Sequence, residues 1–238
     1  MDPRRWQARE RARELARASL ARGDALGWFE ELYREAEGEF SKIPWADPEG
    51  HPLLVEWLAT APPPRPDARR ALVVGCGLGE DSECLRRAGW DVTAFDVSPT
   101  AVEWCRKLHP QGADYTCADL FAPPSPWTDA FDLVFECYTL QALPPQLRPE
   151  ACSSLRSFVR RGGGLLVVTR LRHADEDLGQ LPWPLLAEEL SLFATNGFQR
   201  RAWDILDSGP SDPPARHVRA FFQRDGLSFE PRSPFGAR

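Results

Sequence analysis

Ala71-Leu-Val-Val-Gly75-Cys-Gly77-Leu-Gly79-Glu-Asp81, followed by Asp91-Val-Thr-Ala-Phe-Asp96, decides the fold. The first stretch is a short apolar run ending in three glycines, the pattern of a strand covered on both faces. Glycines at a strand end let the backbone approach a ligand closely, and a following helix aims its amide groups at it. The segment from Glu80 to Ala88 reads as that helix, stopped by Gly89. The second strand ends on Asp96, and 96 − 75 = 21 places a carboxylate 21 residues beyond the first glycine. A carboxylate about 20 residues on can hydrogen-bond a ribose. The glycines follow G-x-G-x-G, not the dinucleotide G-x-G-x-x-G, which argues against a nicotinamide-dependent oxidoreductase.

Outward from this pair the alternation continues. Thr100 to Leu108 reads as a helix, Tyr115–Cys117 as a third strand, and Phe131–Phe135 as a fourth. A helix from Leu147 to Arg160, closed by Gly162–Gly164, leads to a fifth strand at Leu165–Thr169. A helix from Leu185 to Thr195 precedes two terminal strands, Phe198–Leu206 and His217–Gln223, separated by a turn at Gly209–Pro214. This is an α/β chain with a parallel sheet and helices on both faces. In such sheets ligands bind outside the carboxyl ends of the strands. Asp119 ends the third strand in Ala118-Asp119-Leu120, and Glu136-Cys137-Tyr138 follows the fourth. Each alone has a plain structural reading: Asp96 as a helix cap, Asp119 as a turn residue, Glu136 as a strand end capped by amides. Together, at successive strand ends, they favour one adenosine-containing ligand.

The stretches Leu72–Asp81, Val92–Asp96, Ala118-Asp119, Phe131–Val134 and Arg161–Val167 resemble the successive motifs of class I S-adenosylmethionine (SAM)-dependent methyltransferases. Within that superfamily the chain is most similar to the thiopurine, thiol and halide methyltransferase branch, from about Phe40 to Gln223. The resemblance implies a Rossmann-like, seven-stranded, mostly parallel sheet with its last strand antiparallel. It also implies SAM as cofactor. Gly75, Gly77 and Asp81 would face its methionine part, Asp96 would hold its ribose, and Asp119, with Ala118 and Leu120 beside it, would border its adenine; Cys76, Gly79 and Val97 are further cofactor-binding candidates. Glu136 would border the cofactor as well, and Trp45 would cover it from an N-terminal lid. Departures around Trp45 and after the fourth strand leave the acceptor contacts of the branch untransferred.

The N-terminal third reads as a helical extension and lid over residues 1–66. Residues 1–22 form a polar helix with little apolar face. Leu26, Phe29, Tyr33, Ala36 and Phe40 recur at helical spacing, and His51–Leu58 is a short helix with Pro52 in its first turn. The run Ala61-Pro-Pro-Pro-Arg-Pro66 separates this extension from a methyltransferase domain at 67–224, with a loose tail at 225–238.

Composition bounds the rest. The 238 residues carry 29 basic and 35 acidic side chains, a net charge of −6, which speaks against duplex nucleic acid as the main partner. No apolar run approaches the ~20 residues of a membrane span, and the Arg-rich N-terminus has no secretory pattern. The six cysteines, Cys76, Cys84, Cys105, Cys117, Cys137 and Cys152, form no C-x-x-C pair and no zinc spacing. Reduced thiols, no metal, a cytoplasmic location, and a monomer or homodimer are the expectation.

Methyl transfer to a thiol or halide needs no strong general base, whereas a hydroxyl or amine acceptor usually does. Candidate catalytic residues are Glu136, Tyr138 and His173, the last in the loop after the fifth strand. Trp45, Tyr138 and Trp183 are candidate walls of a small apolar pocket. The reading is a SAM-dependent methyltransferase of a small molecule, a thiol or other soft nucleophile first. An O- or N-methyltransferase with a base near His173 or Glu136 is the alternative within the class. A non-catalytic binding module of the same fold is the alternative outside it.

Overall fold

Arg70–Val74 forms β1, an interior strand whose side chains divide between two cores. Leu72 and Val74 pack on one face, Ala71 and Val73 on the other, so an uninterrupted apolar run is what the position requires. The computed structural model describes residues 3–208 and 215–226. Three helices precede β1: α1 (Pro3–Ala21), α2 (Gly27–Ala36) and α3 (Pro52–Thr60). After it come α4 (Glu80–Arg87), β2 (Asp91–Asp96), α5 (Pro99–Leu108), β3 (Asp114–Cys117) and β4 (Phe131–Cys137). The chain continues with α6 (Arg148–Phe158), β5 (Val159–Arg170), β6 (Phe198–Ser208) and β7 (Ala215–Arg224).

The seven strands are ordered β3-β2-β1-β4-β5-β7-β6. β1 to β5 pair in parallel, and β7 runs antiparallel to both of its neighbours. The order reverses between β1 and β4, where Val74 stands beside Glu136. That switch point opens the crevice in which doubly wound sheets hold their ligands. α3, α4 and α5 contribute Leu54, Leu85 and Val102 to one face, and α6 contributes Leu155 and Phe158 to the other.

Four expectations are corrected. The segment 185–195 is not a helix. Leu185 is drawn into an extended bridge with Leu171 at the end of β5, leaving only a tight turn at Glu189–Phe193. Gly162–Gly164 do not close α6; they lie inside β5, which begins at Val159. A Cβ on Gly163 would meet the Asp132 carbonyl at 2.9 Å and one on Gly164 the Phe221 ring at 2.3 Å. The first helix does bury a face: Ala8, Ala12, Leu15 and Ala16 form a stripe packed near Trp28 and Leu32 of α2. Small alanines made that stripe look polar. Phe40, expected on the buried stripe of α2, lies beyond it and is exposed.

α3 packs Leu53 and Leu54 directly against β1 and α4. α1 and α2 join Leu78 of the glycine loop and Ala101 of α5 in a third core. No described helix is long and apolar enough to cross a membrane. The expected turn at 209–214 and the tail beyond 226 lie outside the described residues.

Candidate active site

β1 runs into a loop in which Gly75, Gly77 and Gly79 all have positive φ, +59°, +56° and +92°. Side chains rarely adopt these values, and at Gly75 and Gly79 space forbids them too. A Cβ on Gly75 would come within 2.5 Å of Thr139 Oγ1 and one on Gly79 within 2.5 Å of the Tyr115 hydroxyl. The loop is tied to β2 at two points. Cys76 N donates to the Phe95 carbonyl at 2.9 Å, and Gly77 N donates to Asp96 Oδ2 at 3.0 Å. The other oxygen of Asp96 accepts from Ser98 N at 2.9 Å, and burial pushes this carboxyl up to about 6.

Beside Asp96 opens a cleft of about 430 Å³ lined by Val97, Asp119, Phe121, Leu147, Leu26 and Glu30. Asp119 Oδ1 accepts from Phe121 N at 2.8 Å, and Ala118 N donates to the Asp96 carbonyl at 3.1 Å. Leu120 and Cys76 are less available: both are buried, Leu120 in the core and Cys76 beside the thiol of Cys105. Above the loop, Trp45 Nε1 donates to the Tyr33 hydroxyl at 2.8 Å. A Cβ on Gly77 would stand 3.4 Å from that hydroxyl and 3.6 Å from Trp45 Nε1. The glycine loop is thus a cradle closed from above by an aromatic pair of the N-terminal segment.

At the start of α4, Asp81 accepts from His51 N at 2.6 Å. Burial pushes Asp81 up to about 6 and its neighbour Glu80 up to about 7. These acids sit at the mouth of the glycine loop, where a ligand bearing an ammonium and a sulfonium would lower their proton affinity. A cradle without side chains, a carboxylate at the end of β2, an adjacent cleft and two acids suited to a cation fit SAM.

Tyr138 follows β4 with a left-handed backbone, φ +63°. Its hydroxyl lies 2.9 Å from Nε2 of His51. His51 caps α3: its Nδ1 accepts from Leu53 N at 3.2 Å, so the neutral ring carries its proton on Nε2 and donates it to Tyr138. Burial, helped by neighbouring His217, holds the His51 imidazole down at about 4, so it is neutral at physiological pH. Burial, with Arg170 nearby, also holds His217 below the usual imidazole value. Burial pushes the Tyr138 phenol above the ordinary tyrosine range. His217 packs 6.0 Å from the Tyr138 ring, and the Arg170 guanidinium lies 5.9 Å from it. β5–β7 pairing sets Arg170 opposite His217.

Two expected catalytic residues stand elsewhere. Glu136 is fully buried, turned back so that Oε1 accepts from Leu140 N at 2.8 Å, and burial pushes it up to about 8. It has no surface to offer an acceptor. His173 is exposed in its loop, 3.3 Å from Arg216, its backbone N donating to Glu176. Sequence reasoning missed His51, His217 and Arg170. His51 stands before Pro52 at a helix start, which signals a cap, but its partner is 87 residues away. Trp183 is partly buried against the third core, which holds Leu181, and its backbone N donates to the Gln141 carbonyl at 2.7 Å. Among the described residues no cluster of His, Cys, Asp and Glu could hold a metal, and all six cysteines are free thiols.

Residues 35–208 match the family profile described as thiopurine S-methyltransferase (TPMT). A probable thiol methyltransferase 2 of Arabidopsis thaliana is 26% identical over 185 residues, covering 75% of each chain. A thiopurine S-methyltransferase of Aliivibrio fischeri (strain MJ11) is 26% identical, covering 72% of this chain and 90% of its own. The magnesium protoporphyrin IX methyltransferase of Synechocystis PCC 6803 with bound SAM shares the fold. Its TM-score is 0.57 at 18% identity, over 73% of this chain and 77% of that one. With the profile spanning the glycine loop, Asp96, Asp119 and Tyr138, this chain, a SAM-dependent methyltransferase, belongs to the thiopurine S-methyltransferase family.

Proposed function

We propose that this methyltransferase of small molecules acts on a thiol. The carrying observation is the state of the titratable groups around Tyr138, just past the end of β4. Both nitrogens of His51 are engaged, by Leu53 N and by Tyr138, and its ring gains a proton only near pH 4. Tyr138 keeps its proton at neutral pH and offers it as a hydrogen-bond donor. Neither group is suited to strip a hydroxyl or an ammonium. A thiol near pKa 8.5 arrives partly ionised and needs no such help.

Held over the glycine loop, SAM would supply a methyl group on a sulfonium, an electrophile whose displacement by the acceptor sulfur releases a neutral thioether with the bonding electron pair. The thiol proton is lost to solvent beforehand. Gly75, Gly77 and Asp96 hold the methionine and ribose parts in this reading, and Val97 and Asp119 border the adenine. Tyr33 and Trp45 act as the lid that excludes water. Tyr138 orients the acceptor; fixing two reactants in line is worth up to ~7–11 kcal/mol of barrier.

The likeness to thiol and thiopurine methyltransferases points the same way. The test is a panel of thiols, phenols, amines and halides with SAM, read by S-adenosylhomocysteine release. Thiols are expected to give the highest kcat/KM. A phenol or amine that outperforms every thiol overturns the assignment.

A further inference from the structure

α2 addresses the site at two points from one face. Tyr33 stands over Gly77, and Glu30, one turn earlier, lines the cleft beside Asp96. Three hydrogen bonds hold Glu30 to the segment that follows β2. Its Oε1 accepts from Thr100 Oγ1 at 2.7 Å, and its Oε2 accepts from Ser98 Oγ at 2.7 Å and from Thr100 N at 3.1 Å. These bonds complete the start of α5. Pro99 has no N–H, the Thr100 amide goes to Glu30, and the Ala101 amide goes to Ser98 Oγ at 3.0 Å. A carboxylate 70 residues away in sequence thus caps a helix whose dipole favours negative charge at that end. Burial works against the charge, but the hydrogen bonds outweigh it and hold the Glu30 carboxyl below its usual range. Ser98 also donates its amide to Asp96 Oδ1 at 2.9 Å, so one short segment joins Asp96 to α2. Ahead of Glu30, the α1–α2 turn supplies Gly23, Asp24 and Leu26 to the cleft that Asp119 and Phe121 also line. The turn is closed on itself, Asp24 Oδ1 accepting from Leu26 N at 3.0 Å and Gly27 N at 2.8 Å, and Leu26 packs on the first core.

We infer that Glu30 is a positioning residue for the adenosine end of the cofactor, holding the α1–α2 turn against the cleft by binding the start of α5. This rests on the proposed placing of adenosine in that cleft and is independent of the methyl acceptor. Glu30 acts through the turn and through Ser98, whose amide orients the Asp96 carboxylate. An adenosine in the cleft then meets a wall already fixed in place, and less ordering has to accompany binding. With Glu30 lost, α2 keeps its apolar contacts to Ala101 and Trp104 through Leu32 and Tyr33, but the end of the helix that carries the turn is released.

The experiment measures binding of S-adenosylhomocysteine and of 5′-methylthioadenosine, which shares its adenosine but has no amino acid, to the full chain by titration calorimetry. Glu30→Ala should weaken both by about the same factor, roughly tenfold, the scale of one charge-assisted hydrogen bond. Glu30→Gln keeps an acceptor oxygen and should recover part of the loss. Thr100→Val removes one hydroxyl donor and should weaken both ligands about threefold; added to Glu30→Ala it should cost nothing more, because Thr100 acts through Glu30. In turnover the loss should fall on KM for SAM far more than on kcat, a split that general loosening of the fold does not produce. Glu30→Ala that binds 5′-methylthioadenosine as tightly as the parent overturns the inference. If that variant does not fold, Thr100→Val, which leaves the backbone and the Ser98 cap in place, decides in the same way. Asp96→Ala separates the two possible failures. If it loses affinity while the Glu30 and Thr100 variants do not, the inference alone fails. If it too binds like the parent, the placing of adenosine in this cleft fails and the inference with it.

Discussion

The Tyr138 hydroxyl lies 2.9 Å from His51 Nε2, and the imidazole is turned by its other nitrogen, which caps α3. Helix start and strand end are thereby joined across the crevice. Because His51 donates, the phenolic proton of Tyr138 is free to point at a ligand. Tyr138→Phe should keep the fold and SAM affinity while lowering kcat/KM for a thiol by about threefold to tenfold, the worth of one hydrogen bond. A loss beyond ~100-fold would indicate proton transfer and an oxygen or nitrogen acceptor. His173→Ala, at an exposed position away from this pair, should leave turnover within about twofold.

Asp96 binds two backbone amides, Gly77 N and Ser98 N, and in the proposed reading it also holds the ribose. Asp96→Ala orphans both donors at a buried position, a cost of about 1–3 kcal/mol. The loop carrying Gly77 should loosen, and titration calorimetry should show SAM affinity falling tenfold or more. Unchanged affinity would remove the crevice assignment. Gly77→Val should be worse, since φ +56° strains any branched residue and the valine methyls would extend beyond a Cβ already in contact with Tyr33 and Trp45.

The sheet and its glycine loop were legible because they rest on local signals. An apolar run into Gly75-Cys-Gly77 and a carboxylate 21 residues later need no knowledge of distant contacts. The strand segments Asp91–Asp96 and Phe131–Phe135 were readable for the same reason. The helix expected at 185–195 failed because a bridge to Leu171, set by tertiary pairing, overrode helical periodicity. Gly162–Gly164 misled because glycines that close a helix also permit close packing inside a strand. At the site, Asp96 and the loop glycines could be read in place. The His51–Tyr138–Arg170–His217 group could not, because its members come from α3, β4, β5 and β7. Only the sheet order brings them together.

Glu136 gives the protein a characteristic pH response. Its buried carboxyl is pushed up to about 8 in the folded chain and returns to about 4.3 when unfolded. The folded state therefore binds the extra proton, and this contribution is lost as pH rises through the folded value. Glu80, at about 7, acts in the same direction. His51 and His217, held down, act oppositely, but only below about pH 6.5. Stability should fall by about 2 kcal/mol between pH 6.5 and 8.5 from Glu136 alone. Thermal melts across that range should show it, and Glu136→Gln should flatten most of the slope. A parent Tm that rises over the same interval contradicts the buried, protonated state of this group.

Tyr33 and Trp45 test whether the N-terminal segment governs access to the cradle. Tyr33 is fully buried, yet its hydroxyl reaches the space over Gly77 and accepts the indole proton of Trp45. Their rings meet edge to face at 6.1 Å, and Trp28 and Phe29 buttress Trp45 from α2. Tyr33→Phe keeps the ring and its packing but leaves the Trp45 indole without its acceptor, a loss of about 1–3 kcal/mol in the closed arrangement. Trp45 should then leave the loop more often, with two consequences. SAM affinity should drop by about threefold to tenfold, most of it through faster release, because the closing contact is lost after binding. In parallel, Trp45 should become more accessible to acrylamide, and added S-adenosylhomocysteine should restore less of its protection than in the parent. Unchanged release rates with unchanged quenching would mean that the aromatic pair is packing alone and that closure over the cradle is governed elsewhere.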